Sequence, residues 1–123
     1  MEMQRNGVLV IEDHPDTLEF LMELLADAGY AVTGLDSGLG AVGLARQMQP
    51  RTIVLDLGLP FRSGVALLGD LKADPATAGI PVVVVSAYTE MLPAARAKQA
   101  AAVLSKPFDL PAFLHAVHTA HVA

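Results

Sequence analysis

At 123 residues the chain has room for one domain, and a hydrophobic fraction of 53% is too high for a disordered one. The 13 acidic side chains outnumber the 8 basic ones, giving a net charge of -5 and disfavouring a nucleic-acid surface. There is no cysteine, so disulfides, thiol nucleophiles and cysteine metal sites are excluded.

No apolar run approaches the roughly 20 residues that a membrane span needs. Residues Met1 to Asn6 carry neither the apolar stretch nor the cleavage site of a signal peptide. The expectation is a soluble, acidic, cytoplasmic single domain over residues 1–123, with its core at about 7–121.

In chain order, apolar segments of two kinds alternate. Val8-Leu9-Val10-Ile11 is a short β-branched run, as are Ile53-Val54-Leu55 and Val82-Val83-Val84-Val85. Such runs suit strands buried on both faces, the habit of a parallel sheet. Ala31 to Leu35 and Ala102 to Leu104 are weaker strand candidates.

Between them lie stretches with helical spacing. Leu18, Leu21, Met22 and Leu25 form one stripe; Val65, Leu68 and Leu71 another; Leu110, Phe113, Leu114 and Val117 a third. Gly29 reads as a helix stop and Asp109 as an N-cap. A glycine-rich helix is expected over Gly38 to Met48. A short one is expected from Pro93 to Ala100, after a loop from Ser86 to Leu92. The alternation predicts a three-layer α/β/α sandwich with a five-stranded, doubly wound parallel sheet in order 2-1-3-4-5.

In such a sheet, ligands bind beyond the carboxyl ends of the strands. Those ends carry Glu12-Asp13, Asp56, Ser86-Ala87 and Ser105-Lys106-Pro107. Singly, each residue has a plain structural reading: a helix cap, a turn residue, a surface lysine. Together they place three carboxylates and one ammonium at one rim. Two carboxylates ~4 Å apart repel by about 4 kcal/mol at an effective dielectric near 20. A hard divalent cation such as Mg²⁺ relieves this with oxygen ligands. A cation beside a carboxylate, a lysine and a hydroxyl is an arrangement for phosphoryl transfer.

From Val8 to about His118 these pieces resemble the receiver domain of two-component response regulators. The matching segments are Glu12-Asp13, Asp56-Leu57-Gly58-Leu59-Pro60, Ser63-Gly64, Leu71-Lys72, Asp74-Pro75, Ser86-Ala87 and Lys106-Pro107-Phe108. The resemblance implies a signalling switch rather than a metabolic enzyme. Asp56 would accept a phosphoryl group from a histidine kinase or phosphotransfer protein, and slow hydrolysis would remove it. Asp13, Asp56 and the Gly58 carbonyl would bind Mg²⁺, with Glu12 acting through metal-bound water. Lys106, the Ser86 hydroxyl and the Ala87 N–H would hold the phosphoryl oxygens, and a cis Lys106–Pro107 bond would aim the lysine. Movement of the loop from Ala87 to Leu92 would carry the signal to a downstream protein.

Four positions depart from the family pattern. Val103 stands where an aromatic ring is usual, so coupling is expected through the loop and fourth helix. Gln99 stands where Gly is common. Gly58 replaces a bulky residue, which would open the acyl phosphate to water. Pro93 alters the usual output surface. Apolar residues from Pro93 to Ala102 would support a homodimer. A phosphorylation-independent receiver-like adaptor is the alternative.

Other signals weigh less. Gly38-Leu39-Gly40-Ala41-Val42-Gly43 matches G-x-G-x-x-G, a dinucleotide-binding pattern, but leaves the rim residues unexplained. His115, His118 and His121 recur every third residue, a spacing compatible with a metal clip and more often a solvated face. His14 follows the acidic pair and is a candidate for tuning the rim.

Overall fold

Five short strands alternate with five helices in the computed structural model, which describes residues 7–60 and 63–122. The strands are β1 (Gly7–Ile11), β2 (Ala31–Leu35), β3 (Thr52–Asp56), β4 (Val82–Ser86) and β5 (Ala102–Ser105). They form one parallel sheet in the order β2-β1-β3-β4-β5, as the alternation predicts. The three solid apolar runs are the three central strands, and every residue in them is buried. The two weaker candidates are the edge strands, where one side meets solvent.

Side-chain alternation divides the core into two layers. Leu9, Ile11, Ile53, Leu55, Val82 and Val84 face α2 (Ala41–Met48), α3 (Gly64–Ala73) and α4 (Leu92–Ala97). Val8, Val10, Val54 and Val85 face α1 (Pro15–Asp27) and α5 (Leu110–Val122), where they meet Leu21, Leu25, Phe113 and Val117. Met48 and Met91 fill gaps in the first layer.

The helix ends have local causes. After α1, Gly29 adopts φ 101°, and the Tyr30 N–H reaches back to the Leu25 carbonyl at 3.1 Å. Ser63 caps α3 by accepting the Ala66 N–H at 3.1 Å. Asp109 caps α5 through the Ala112 N–H at 3.2 Å. Lys72 and Asp74 tie α3 to its surroundings. Lys72 Nζ donates to the Ala78 and Ile80 carbonyls, and Asp74 pairs with Arg46.

Several expectations are corrected. α2 begins at Ala41, not Gly38, because Gly40 takes a left-handed φ of 74° at the cap. The segment from Ser86 to Leu92 is not a plain loop; Thr89–Met91 form a 3₁₀ turn that leads into α4. That helix runs from Leu92 to Ala97 and ends before Ala100, since Gln99 takes a left-handed φ of 67°. A left-handed conformation there explains why glycine suits that position. The three histidines of α5 share no face: His115 and His118 are exposed, whereas His121 is buried. His121 sits with its Nδ1 at 3.0 Å from Thr52 Oγ1 and its ring edge-on to Tyr30.

Candidate functional site

The parallel register sets the rim. Ile11 lies level with Leu55, so the next residues, Glu12 and Asp56, emerge side by side. Asp56 is level with Val85, and Ser86 with Ser105. The Lys106 N–H donates to the Ser86 carbonyl at 2.8 Å, which anchors the lysine backbone beside β4. The Lys106–Pro107 peptide is cis, as the resemblance implies.

Glu12 and Asp56 are both buried, at 0% and 3% exposure. Lys106 Nζ donates to Glu12 Oε1 at 2.7 Å and stands 3.8 Å from Asp56 Oδ2. The Gly58 N–H donates to the other Asp56 oxygen at 3.3 Å, fixing the plane of the carboxylate. One ammonium thus serves two buried carboxylates, and it favours Glu12. For Glu12, burial raises the carboxyl. The Lys106 hydrogen bond and charge outweigh it, with help from the His14 N–H, and hold the group below its ordinary range. For Asp56, burial dominates and the Glu12 charge adds to it, while Lys106 offsets only part; the carboxyl is pushed up to about 6.

Asp13 completes the acidic set. Its Oδ1 is buried and has no hydrogen-bond partner among the described residues. Donor atoms of Glu12, Asp13, His14 and Asp56 all lie within 4.8 Å of one another. An orphaned carboxylate oxygen beside a carboxyl raised by burial and by its neighbour's charge fits a divalent cation with oxygen ligands.

Ser86 is buried at the end of β4, and its Oγ accepts the Tyr88 N–H at 2.9 Å. The hydroxyl proton is thereby left to donate elsewhere. Gly64 closes the base of the rim. Its N–H donates to the Leu57 carbonyl at 2.9 Å, and a Cβ there would stand 2.4 Å from Leu57 Cα. Val103 packs on the core from β5 without an aromatic ring.

The Tyr88 ring stands beside Gly58. A Cβ on Gly58 would lie 2.3 Å from the Tyr88 ring, so the space of a bulky residue is already occupied by that ring. The structure therefore brings together Glu12, Asp13, Asp56, Lys106 and Gly58, with Ser86 and Ala87 at the adjacent strand end. The sequence reading missed the Lys106–Glu12 pair, the Tyr88 cover and the contacts of His14.

Comparison with known proteins shows the family. Residues 8–118 match the family model of the response regulator receiver domain. The chain belongs to that family. It is 38% identical over 109 residues to the transcriptional regulatory protein KdpE of Mycobacterium tuberculosis, covering 87% of this chain and 47% of that protein. It is 32% identical over 113 residues to the polar-differentiation response regulator DivK of Brucella ovis, covering 90% and 92%. The receiver domain thus spans about half the length of KdpE and nearly all of DivK. Among solved structures, a putative response regulator from Chloroflexus aurantiacus superposes with a TM-score of 0.87 at 23% identity, covering 95% of this chain and 98% of that one. The receiver domain of a sensor histidine kinase from Pseudomonas aeruginosa, crystallised with a magnesium ion in its active-site cleft, gives 0.86 at 21%, covering 95% and 98%.

Receiver domains are phosphorylation-dependent signalling switches that accept phosphoryl groups from histidine kinases. Against that background the G-x-G-x-x-G match is a helix-entry turn. Its groove of about 250 Å³ is lined by Gly38 to Gly43, Leu67 and Asp70, with no basic side chain to meet a pyrophosphate. No helix among the described residues is long and apolar enough to cross a membrane.

Proposed function

We propose that Asp56 is the phosphoryl acceptor of a single receiver domain over residues 1–123, with Mg²⁺ held by Asp13, Asp56 and the Gly58 carbonyl, and by Glu12 through water. The observation that carries this reading is the buried Asp56, held up to about 6 by burial and by Glu12, with one lysine serving both. When bound, Mg²⁺ neutralises charge on the carboxylates and on the phosphoryl oxygens.

The chain's own groups do the rest. An Asp56 oxygen attacks the phosphorus of a phospho-histidine, a P–O bond forms, and the P–N bond to the departing imidazole breaks. The Gly58 N–H holds one carboxylate oxygen so that the other faces the donor. Lys106 shifts from Glu12 toward a phosphoryl oxygen, starting 3.8 Å from the acceptor carboxylate. Ser86 offers its hydroxyl proton to a second oxygen, and the Ala87 N–H supports it. Positioning and charge neutralisation suffice, because the transferred group passes through a loose transition state. The same alignment with water as nucleophile accounts for slow self-dephosphorylation.

Switching follows from Ser86. Its Oγ is bonded to the Tyr88 N–H, so turning Ser86 toward a phosphoryl group pulls Tyr88 and the Thr89–Met91 turn ahead of α4. The downstream surface would then include α4, with a cytoplasmic histidine kinase or phosphotransfer protein as donor. Beryllofluoride with Mg²⁺, followed by amide NMR, tests this. Shifts are expected at Ser86 to Leu92 in the native chain and not in Asp56→Asn. An unchanged spectrum in the native chain would overturn the proposal.

A further inference from the structure

His14 has a place in the rim that helix capping does not explain. It occupies the N-cap of α1, where Ser, Thr, Asp or Asn normally bonds to the first-turn N–H groups, yet its side chain makes no capping hydrogen bond. The ring turns toward the acids instead. Its Nδ1 lies 3.4 Å from Glu12 Oε2 and 3.4 Å from Asp13 Oδ1, the latter being the buried oxygen without a hydrogen-bond partner. The His14 backbone N–H also donates to Glu12 Oε2 at 3.3 Å, which pins the residue over the carboxylates. The ring is mostly exposed and stands on the solvent side of the acids.

We propose that His14 Nδ1 is a further direct donor at this site, joining the oxygens of Asp13 and Asp56 while Glu12 acts through water, and that it raises the preference of the site for imidazole-binding transition cations such as Zn²⁺ over Mg²⁺. The proposal rests on the reading of this rim as a divalent-cation site. Donor chemistry sets the selectivity. Carboxylates and water suit Mg²⁺ and Mn²⁺, whereas an imidazole favours the later transition metals. Donor atoms of Asp13, His14 and Asp56 lie within 4.8 Å of one another and of Glu12, close enough for the three to meet one cation and for Glu12 to reach it through water. An all-oxygen rim of the same charge would hold Mg²⁺ equally well but would gain less from Zn²⁺.

The test uses the full chain loaded with Mn²⁺, which Mg²⁺ displaces from the acid site. Pulsed electron paramagnetic resonance should show a directly coupled imidazole nitrogen in the native chain. That signal should vanish in His14→Ala and in His14→Gln, the latter keeping bulk and polarity. Competition titrations should show the Zn²⁺-over-Mg²⁺ preference falling roughly tenfold or more in both variants. Asp13→Asn should lose the coupling too, because any nitrogen signal that survives it arises elsewhere. Bound Mn²⁺ without nitrogen coupling, coupling that persists in the His14 variants, or an unchanged preference would overturn the role of His14 alone. Failure of Mg²⁺ to displace any bound Mn²⁺ would overturn the cation reading with it.

Discussion

Replacing Asp56 with asparagine should make the cation-free protein more stable at neutral pH. The carboxyl is buried, stands against the Glu12 charge and is raised from 3.8 to about 6. A raised acid binds its proton more tightly in the folded chain than in the unfolded one. The stability it lends is therefore present below pH 3.8, falls as pH rises from 3.8 through about 6, and is absent above that. The full difference sets a ceiling of ~3 kcal/mol, and water at the open rim lowers the expected value to ~1–2 kcal/mol. Asparagine carries no such charge. Urea unfolding of native and Asp56→Asn chains without Mg²⁺ should give a gap of ~1–2 kcal/mol in favour of the variant at about pH 7.5. The gap should shrink steadily as pH falls through the window. Saturating Mg²⁺ should close it, because the cation stabilises only the chain that binds it tightly. Equal stabilities with parallel pH curves, or a variant less stable at neutral pH, would refute the account of the rim electrostatics.

Other outcomes follow from the same geometry. Lys106→Met should cost about 3 kcal/mol at neutral pH without Mg²⁺, since it leaves the buried Glu12 charge unpaired; a loss below about 1 kcal/mol in urea unfolding would contradict the pairing. Gly64→Ala should cost ~2 kcal/mol or more, because its Cβ would press on the Leu57 backbone and the Asp56 carbonyl. A thermal melt that matches the native chain would show that this loop yields instead. Tyr88→Ala should shorten the lifetime of the acyl phosphate several-fold by uncovering Gly58; an unchanged decay of the phosphorylated species by mass spectrometry would show that the ring does not shield it.

Much of the architecture was legible in the sequence for one reason. The central strands are buried on both faces, so they appear as unbroken apolar runs at Val8, Ile53 and Val82. Once those ends are aligned, parallel pairing carries Glu12, Asp56, Ser86 and Lys106 to one side without further information. Helix limits were less legible, because they depend on backbone angles that residue type only biases. Gly40 begins α2 late and Gln99 marks the end of α4 early, both through left-handed conformations.

The histidine pattern misled because three residues are less than one helical turn. Each step of three falls about 60° short, so His121 lies ~120° around α5 from His115 and reaches the core. The choice of Lys106 for Glu12 over Asp56 joins residues 94 apart in sequence and is decided by about 1 Å at the rim. The Tyr88 ring over Gly58 arises from how the segment after β4 folds back, and no spacing signal encodes that contact.

The most direct test of the central claim is covalent labelling. The native chain incubated with a small phosphodonor and Mg²⁺ should gain one acid-labile phosphoryl group, mapped by peptide mass spectrometry to Asp56. Chelation of Mg²⁺ should abolish the gain, and Asp56→Asn should not be labelled. Label on another residue of the native chain, or label that survives in Asp56→Asn, would contradict the assignment of Asp56 as the acceptor.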